Sequence, residues 1–310
     1  MERLTMKKTR AFSPGHITGF FQICDNSETL LEKGSRGAGV SVTRGVTTTI
    51  EVKPAKATKI KVSINGDLSS PAPVSHTIVA RFLELVPTKA YEIQINHQVE
   101  LPIGSGFGTS GAGALSLALA MKEAIELDLS KLEAAQIAHI AEVQHRTGLG
   151  TVIAELVGGI EIRSVAGGPG VGQVETLPNI NEYRVMCLPF GPIPTPLHLN
   201  NPNSRKLINE RGGLLTDALR ANPTVSNFLE YSRNFAEHIG IITKRVDAVL
   251  QDADEEGIVC SSAIFGENVF SIVVPDQIQD LTRIFDRHKI SENQLMVMEI
   301  DCEGARVLDV

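Results

Sequence analysis

A two-lobed α+β architecture, with a mixed sheet and a phosphate-binding loop in its first half, is predicted by three observations. A stretch rich in glycine and hydroxyls, residues 101–114 (LPIGSGFGTSGAGA), lies between an alternating strand-like run and an Ala/Leu-rich helical run. A Gly/Pro run at 167–172 (GGPGVG) interrupts the chain near its middle. Beyond it, helical and strand-like segments alternate. The expected division is therefore 1–170 and 171–310. With 310 residues, 42% of them hydrophobic, the chain can bury a core in each part.

In chain order, residues 11–23 (AFSPGHITGFFQI) read as a turn at Pro14-Gly15. His16, Thr18 and Gly19 follow, where the chain could fold over a small molecule. For His16, a structural turn histidine and a ligand contact weigh equally. Residues 34–40 (GSRGAGV) read as a small-residue turn feeding a Thr/Val-rich strand at 46–53. Ser35 and Arg36 in that turn could face an acidic ligand. The alternating run 59–64 ends at Asn65-Gly66, a two-residue hairpin signal, and its lysines mark a solvated face. Residues 74–85 read as a helix broken at Pro87, and 91–99 as a strand with one wet face.

The stretch 101–114 then falls at a helix N-terminus. Unpaired N–H groups and the positive end of the helix dipole favour an anion there, and glycines let the backbone approach it. A P-loop is excluded, because no Lys follows the last glycine to reach terminal phosphates. Gly106-x-Gly108-x-x-Gly111 matches the dinucleotide spacing, with Glu126 or Asp128 near the ribose-acid position. That fingerprint, however, normally follows a buried apolar strand rather than an alternating one. A turn that merely starts a helix needs one cap, not Gly104, Gly106, Gly108 and Gly111 together with Ser105, Thr109 and Ser110.

After the helical run 112–127, Ser130-x-x-Glu133 is a capping box that opens a second helix running through Arg146. His139, Glu142 and Arg146 share one face of it at i, i+3 and i+7, as either a solvated face or a site. A second glycine turn, Thr147-Gly148-Leu149-Gly150, precedes a short apolar segment at 151–157, for which Thr151 is a candidate helix cap. Gly158-Gly159 and a strand at 160–165 carrying Arg163 come next. In the second half, helices are expected at 205–220, 224–238, 241–251 and 277–288, with strands at 269–274 and 294–300. This is an α+β layer of the split ferredoxin-like kind.

Composition narrows the function. A formal net charge of −7 leaves no basic stripe for nucleic acid or for an anionic membrane. Four scattered cysteines without a C-x-x-C pair read as reduced thiols. No apolar signal core or membrane-length run is present, so a cytoplasmic location is expected.

The string from Pro102 through G-S-G-F-G-T-S-G-A-G-A resembles the P-x-x-x-G-L-G-S-S-A-A loop of the GHMP kinases, which phosphorylate small-molecule alcohols. The resemblance narrows to pantoate kinases of the archaeal type. Its carriers are SPGHITGFF at Ser13, GSRGAGV at Gly34, LPIGSGFGTSGAGALS at Leu101, AHIAEVQHRTGLG at Ala138, and GGIEIR through GGPGVG from Gly158. It implies the GHMP kinase fold and ATP-dependent phosphorylation of the 4-hydroxyl of pantoate, toward coenzyme A, with Mg²⁺ as cofactor. It further implies ATP contacts from Pro102, Gly104, Ser105, Gly106, Phe107, Gly108, Thr109, Ser110, Gly111 and Ala112, and metal ligation by Ser110 and Glu142. Ser35, His139, Arg163 and Thr195 are the implied contacts to substrate. A homodimer stays open.

Three departures accompany the resemblance. Gly19-Phe20-Phe21 replaces the usual G-E-H triplet, and the third motif is reduced to residues 260–266 (CSSAIFG). Thr151 occupies the catalytic position where pantoate kinases commonly carry Asp, and threonine accepts no proton near neutral pH. Phosphoryl transfer through a loose transition state asks little of a base. A kinase of another small hydroxy acid and a non-catalytic nucleotide-binding homologue remain as alternative readings.

Overall fold

A computed structural model describes residues 6–86, 90–193, 201–292 and 294–309. Two long antiparallel strands, β1 (Lys7–Cys24) and β2 (Gly34–Ala55), form its spine and pair along their whole length. The turns expected at Pro14-Gly15 and at 34–40 are therefore strand. Pro14-Gly15 is a register shift inside β1, facing Gly45. A proline that cannot donate to the ladder is tolerated at such a bulge. The apolar residues on either side, including Ile17, Phe20, Val40 and Val42, are fully buried and keep the pairing going.

β3 (Lys59–Ile64) is followed by α1 (Pro73–Glu84) and β4 (Ala90–Val99). Asn65 and Gly66 do form a tight turn, both at positive φ, closed by Ile64 N–H on Asp67 O at 3.0 Å. They do not make the expected hairpin. Asp67 instead accepts from Ser69 and Ser70, the chain enters α1, and β4 returns parallel to β3. The dipeptide specifies the local reversal, but the segment after it has no alternating pattern with which to pair. Pro87, expected to break α1, lies outside the described residues.

α2 (Thr109–Ala124) is buried on nearly every side, from Ala112 to Ala124, as a central helix against β1, β2 and α3 (Lys131–His145). The expected capping box is present: Ser130 Oγ accepts from Glu133 N–H at 3.1 Å, and Glu133 Oε2 accepts from Ser130 N–H at 2.7 Å. α4 (Thr151–Val157) is a two-turn helix, followed by β5 (Ile160–Val165) and β6 (Gln173–Thr176).

β2 forks: residues 46–55 pair with β4, and residues 37–40 pair with β5. The loop leaving β4 and the helix preceding β5 are thereby brought together beside the β1 bulge.

The second sheet is antiparallel in the order β10-β7-β9-β8. It follows in the chain as β7 (Arg184–Pro192), α5 (Pro202–Ala221), α6 (Val225–His238), α7 (Lys244–Glu255), β8 (Ser261–Ser262), β9 (Gly266–Val273), α8 (Ile278–His288) and β10 (Met296–Glu299). β7 is not among the expected strands, because Pro189 and Pro192 interrupt its apolar run. Pro189 is accommodated next to a register shift against β9. β11 (Arg306–Leu308) returns to pair with β1, so both β6 and β11, past residue 170, belong to the first sheet. An apolar cluster joining Phe20, Phe21, Phe228, Phe235 and Phe270 ties the two sheets through α6. Among the described residues, no helix is long and apolar enough to cross a membrane.

Candidate active site

The loop after β4 begins α2 with Gly108 in the left-handed region at φ 63°. A Cβ on Gly108 would lie 2.7 Å from Thr151 Cγ2 and 2.8 Å from Glu155 Oε1, so this residue is held to glycine by conformation and by space. The rest of the loop is fastened from both sheets. His16 N–H donates to Phe107 O at 2.9 Å, Ile193 N–H to Gly104 O at 3.1 Å, and Asn268 Nδ2 to Ser105 O at 3.2 Å. Gly266, the end of the reduced third motif, packs against the Ser105 backbone, and Ala263 packs under Gly106. The reduced motif thus props the loop. The first N–H groups of a helix such as α2 lack intrahelical acceptors, an arrangement that favours an anion.

A cavity of about 300 Å³ opens in front of this loop, the lower end of the range for small-ligand sites. Its walls include Gly104, Gly106 to Gly111, Glu142, the 147–151 turn, Ser35, Arg163, His16 and Thr18. Of the residues expected at ATP, Ser105 and Ala112 are buried behind the loop and Pro102 is exposed outside the cavity lining.

Ser110 and Glu142 meet as expected. Ser110 Oγ donates to Glu142 Oε1 at 2.6 Å, and Thr147 Oγ1 donates to the same oxygen at 2.8 Å. Glu142 is 1% exposed, which removes the solvated-face alternative, and its Oε2 has no partner. Burial pushes the carboxyl pKa up, against the pull of the two hydroxyls. An orphaned carboxylate oxygen beside a hydroxyl and an anion site fits a hard divalent cation that keeps water and phosphate oxygens in its shell. No cluster of three or more His, Cys, Asp or Glu suited to a metal occurs among the described residues, and such a cation does not require one.

On the far wall Ser35 and Arg163 also come together. Each flanks Gly150, where a Cβ would sit 2.1 Å from Ser35 Oγ and 3.0 Å from Arg163 Nε. Arg163 is 2% exposed; its Nη1 is bonded to Glu161 Oε1, and its Nε has no partner.

His139 stands elsewhere. Its Nε2 donates to Lys33 O at 2.9 Å and its ring packs on Gly168, so it braces the 30–33 and 167–172 turns and does not line the cavity. Burial lowers its pKa, against the carbonyls of Lys33 and Leu30. Arg146, exposed at the end of α3, reaches the cavity mouth. Thr195 lies outside the described residues. Thr151 lines the cavity but is no cap: Gly150 holds the cap position without a side-chain hydrogen bond, and Thr151 is the first residue inside the helix.

Glu155 and Glu161 are the residues that sequence reasoning missed. Their signal is an acid placed inside an apolar run, TVIAELVGGIEIRSV, where charge is rarely buried without purpose. Glu155 is fully buried one helical turn after Thr151, and neither of its carboxyl oxygens has a partner. Burial first, then the charges of Glu142 and Glu161, raise its pKa well above 4.5 and so favour the protonated carboxyl. The folded state then binds this proton more tightly than the unfolded chain. Its share of stability is complete below about 4.5 and is lost as pH rises through the folded value. Glu155→Gln is expected to shrink the fall in Tm between pH 5 and pH 8 by about 2–6 °C. A thermal-melt series that keeps the full fall would show Glu155 already ionised in the fold.

The loop that starts α2 and the hydroxyl–carboxylate pair beside it lie within the stretch, residues 76–159, matched by the model of the GHMP kinase N-terminal domain. A pantoate kinase of Thermococcus kodakarensis is 34% identical over 269 residues, 85% of this chain and 87% of the relative. One from Methanocaldococcus jannaschii is 34% identical over 276 residues, 88% and 96% of the two chains. The chain belongs to the pantoate kinase family. A solved structure described as a phosphotransferase related to the CoA biosynthesis pathway superposes with a TM-score of 0.87 at 29% identity, covering 97% of this chain and 98% of the other.

Proposed function

We propose that this protein transfers the terminal phosphoryl group of ATP to the 4-hydroxyl of pantoate, a step of coenzyme A biosynthesis. One observation carries the reading: a single cavity has an amide-lined anion site with Ser110 and Glu142 on one wall and Arg163 with Ser35 on the other. The family membership supports the same substrate pair.

The amides from Gly106 to Gly111 hold the triphosphate. Ser110 and Glu142 would hold Mg²⁺, which supplies charge neutralisation across the phosphate oxygens. Arg163 takes the pantoate carboxylate and Ser35 adds a hydroxyl beside it, which orients the far alcohol toward the phosphate. Four free cysteines, two of them buried, support a reducing, cytoplasmic location.

An ADP-release assay over pantoate, homoserine and mevalonate tests the reading. Turnover with pantoate alone is expected, and preference for either other alcohol would overturn it. With no acid at position 151, positioning and charge neutralisation account for the rate. Thr151→Ala is therefore expected to keep kcat within about tenfold. It should also change stability by under about 0.5 kcal/mol, because no cap is lost. Loss of turnover in a folded Thr151→Ala protein would place the hydroxyl on the reacting atoms instead.

A further inference from the structure

Arg163 does not stand alone in the cavity wall. Glu161 and Arg163 are alternate residues of β5 and so share one face, and His16 and Thr18 stand in the same relation on β1. Between the two strands runs β2, with Gly39 opposite both Thr18 and Glu161. A Cβ on Gly39 would lie 2.3 Å from His16 Nε2 and 2.4 Å from its Cε1, so the missing side chain is what lets the imidazole cross β2. The ring reaches Glu161 Oε1 at 3.0 Å, the oxygen that also receives Arg163 Nη1. On its other side, His16 Nδ1 meets Thr18 Oγ1 at 3.4 Å.

The chemistry of this chain gives it a direction. A carboxylate oxygen only accepts, so His16 presents Nε2–H to Glu161, and in the neutral imidazole this leaves Nδ1 as the acceptor for the Thr18 hydroxyl proton. Thr18 then faces the cavity with oxygen lone pairs rather than with its hydrogen, and so reads a donor. At the other end, Glu161 occupies Nη1 of Arg163 and leaves the Nε–Nη2 edge, with Nε buried and unpartnered, as a side-on fork for a carboxylate. Glu161 is wholly buried behind the wall, while His16, Thr18 and Arg163 line the cavity.

We propose that Glu161 and His16 are positioning residues that aim two specificity groups at one ligand, Arg163 at its carboxylate and Thr18 at a hydroxyl that is not phosphorylated. The inference rests on the pantoate reading and adds to it the group that reads the 2-hydroxyl, Thr18, and the buried pair that orients both contacts. The reacting hydroxyl belongs near Ser110 and the phosphate loop. The second one lies beside the carboxylate, within the span of the Arg163-to-Thr18 chain.

Calorimetric titration of pantoate and of 4-hydroxy-3,3-dimethylbutanoate, which lacks only the 2-hydroxyl, decides the matter whether or not the protein turns either acid over. The native protein is expected to bind pantoate about tenfold more tightly, the worth of one hydrogen bond in a partly open site. Thr18→Val should bring the ratio of the two Kd values to about one, and Thr18→Ser should restore it. Glu161→Gln should weaken both acids while keeping their ratio, because it loosens Arg163 and removes no hydroxyl contact. A ratio unchanged by Thr18→Val, or unchanged pantoate affinity in Glu161→Gln, overturns the inference. Binding with this ratio but without phosphorylation would count against the kinase reading alone, and binding of neither acid would overturn both.

Discussion

Glu142→Gln is expected to lower kcat by about 100-fold or more and to move the half-saturating Mg²⁺ concentration upward, with folding intact. The substitution keeps the shape of the side chain and its acceptance of the Ser110 and Thr147 hydroxyls at 2.6 and 2.8 Å. What it removes is the negative charge behind Oε2, the orphaned oxygen that faces Gly148. If that oxygen serves a cation on the phosphates, an amide in its place loses most of the attraction, and metal sites lose 10–100-fold in affinity even from changes outside the ligand shell. Because burial already raises the carboxyl pKa, the native rate should also fall on acidification before that of a protein relying on an exposed carboxylate. Steady-state kinetics across a Mg²⁺ series would check this. Near-native turnover at ordinary Mg²⁺ would assign Glu142 to the packing of the 147–150 turn.

Arg163→Lys is expected to raise KM for pantoate by about 30- to 100-fold while leaving KM for ATP within twofold. Lysine keeps the positive charge that Glu161 needs in a fully buried setting, so the fold is not asked to tolerate an unpaired carboxylate, a defect worth about 3–5 kcal/mol. It cannot, however, satisfy Glu161 and also present two parallel N–H groups to a ligand. Loss of the fork is a loss of charge-assisted hydrogen bonds, each worth about 1.5–3 kcal/mol. The test is a KM-against-kcat comparison for both substrates. An unchanged pantoate KM would remove Arg163 from substrate contact and leave it as the partner of Glu161.

The parts of the site that were legible in the sequence are those whose chemistry is local. The loop at 101–114 places closely spaced glycines and hydroxyls at a helix start. Ser110 and Glu142 were recognisable as a pair through the family's motifs, and the structure joins them across 32 residues of chain. The capping box at Ser130 and the helices of the second half followed from side-chain period alone. Three of the misreadings concern turns. Pro14-Gly15, the glycines of 34–40 and Asn65-Gly66 are all genuine local signals for reversal. At the first two, a buried apolar ladder on both sides outweighed the signal and kept the strand straight. At the third, the turn formed but nothing after it could pair.

The sequence by itself determined that a loop rich in glycine and hydroxyls begins α2, that Ser110 and Glu142 match paired positions of the family's motifs, and that Thr151 stands where relatives commonly place an acid. These depend on neighbours in the chain and on motif order. Only the tertiary structure decided which polar groups share the cavity. His16 and Glu161 are separated by 145 residues and meet because β2 forks and carries a glycine between them. His139 lies on the expected helix yet points at the Lys33 carbonyl instead. Glu155, marked in the sequence only by its apolar neighbours, becomes a buried acid pressed against Gly108 and Gly111 once α4 docks beneath the loop. Burial and long-range pairing set these roles, because the cost of an unpaired polar group depends on what surrounds it in space.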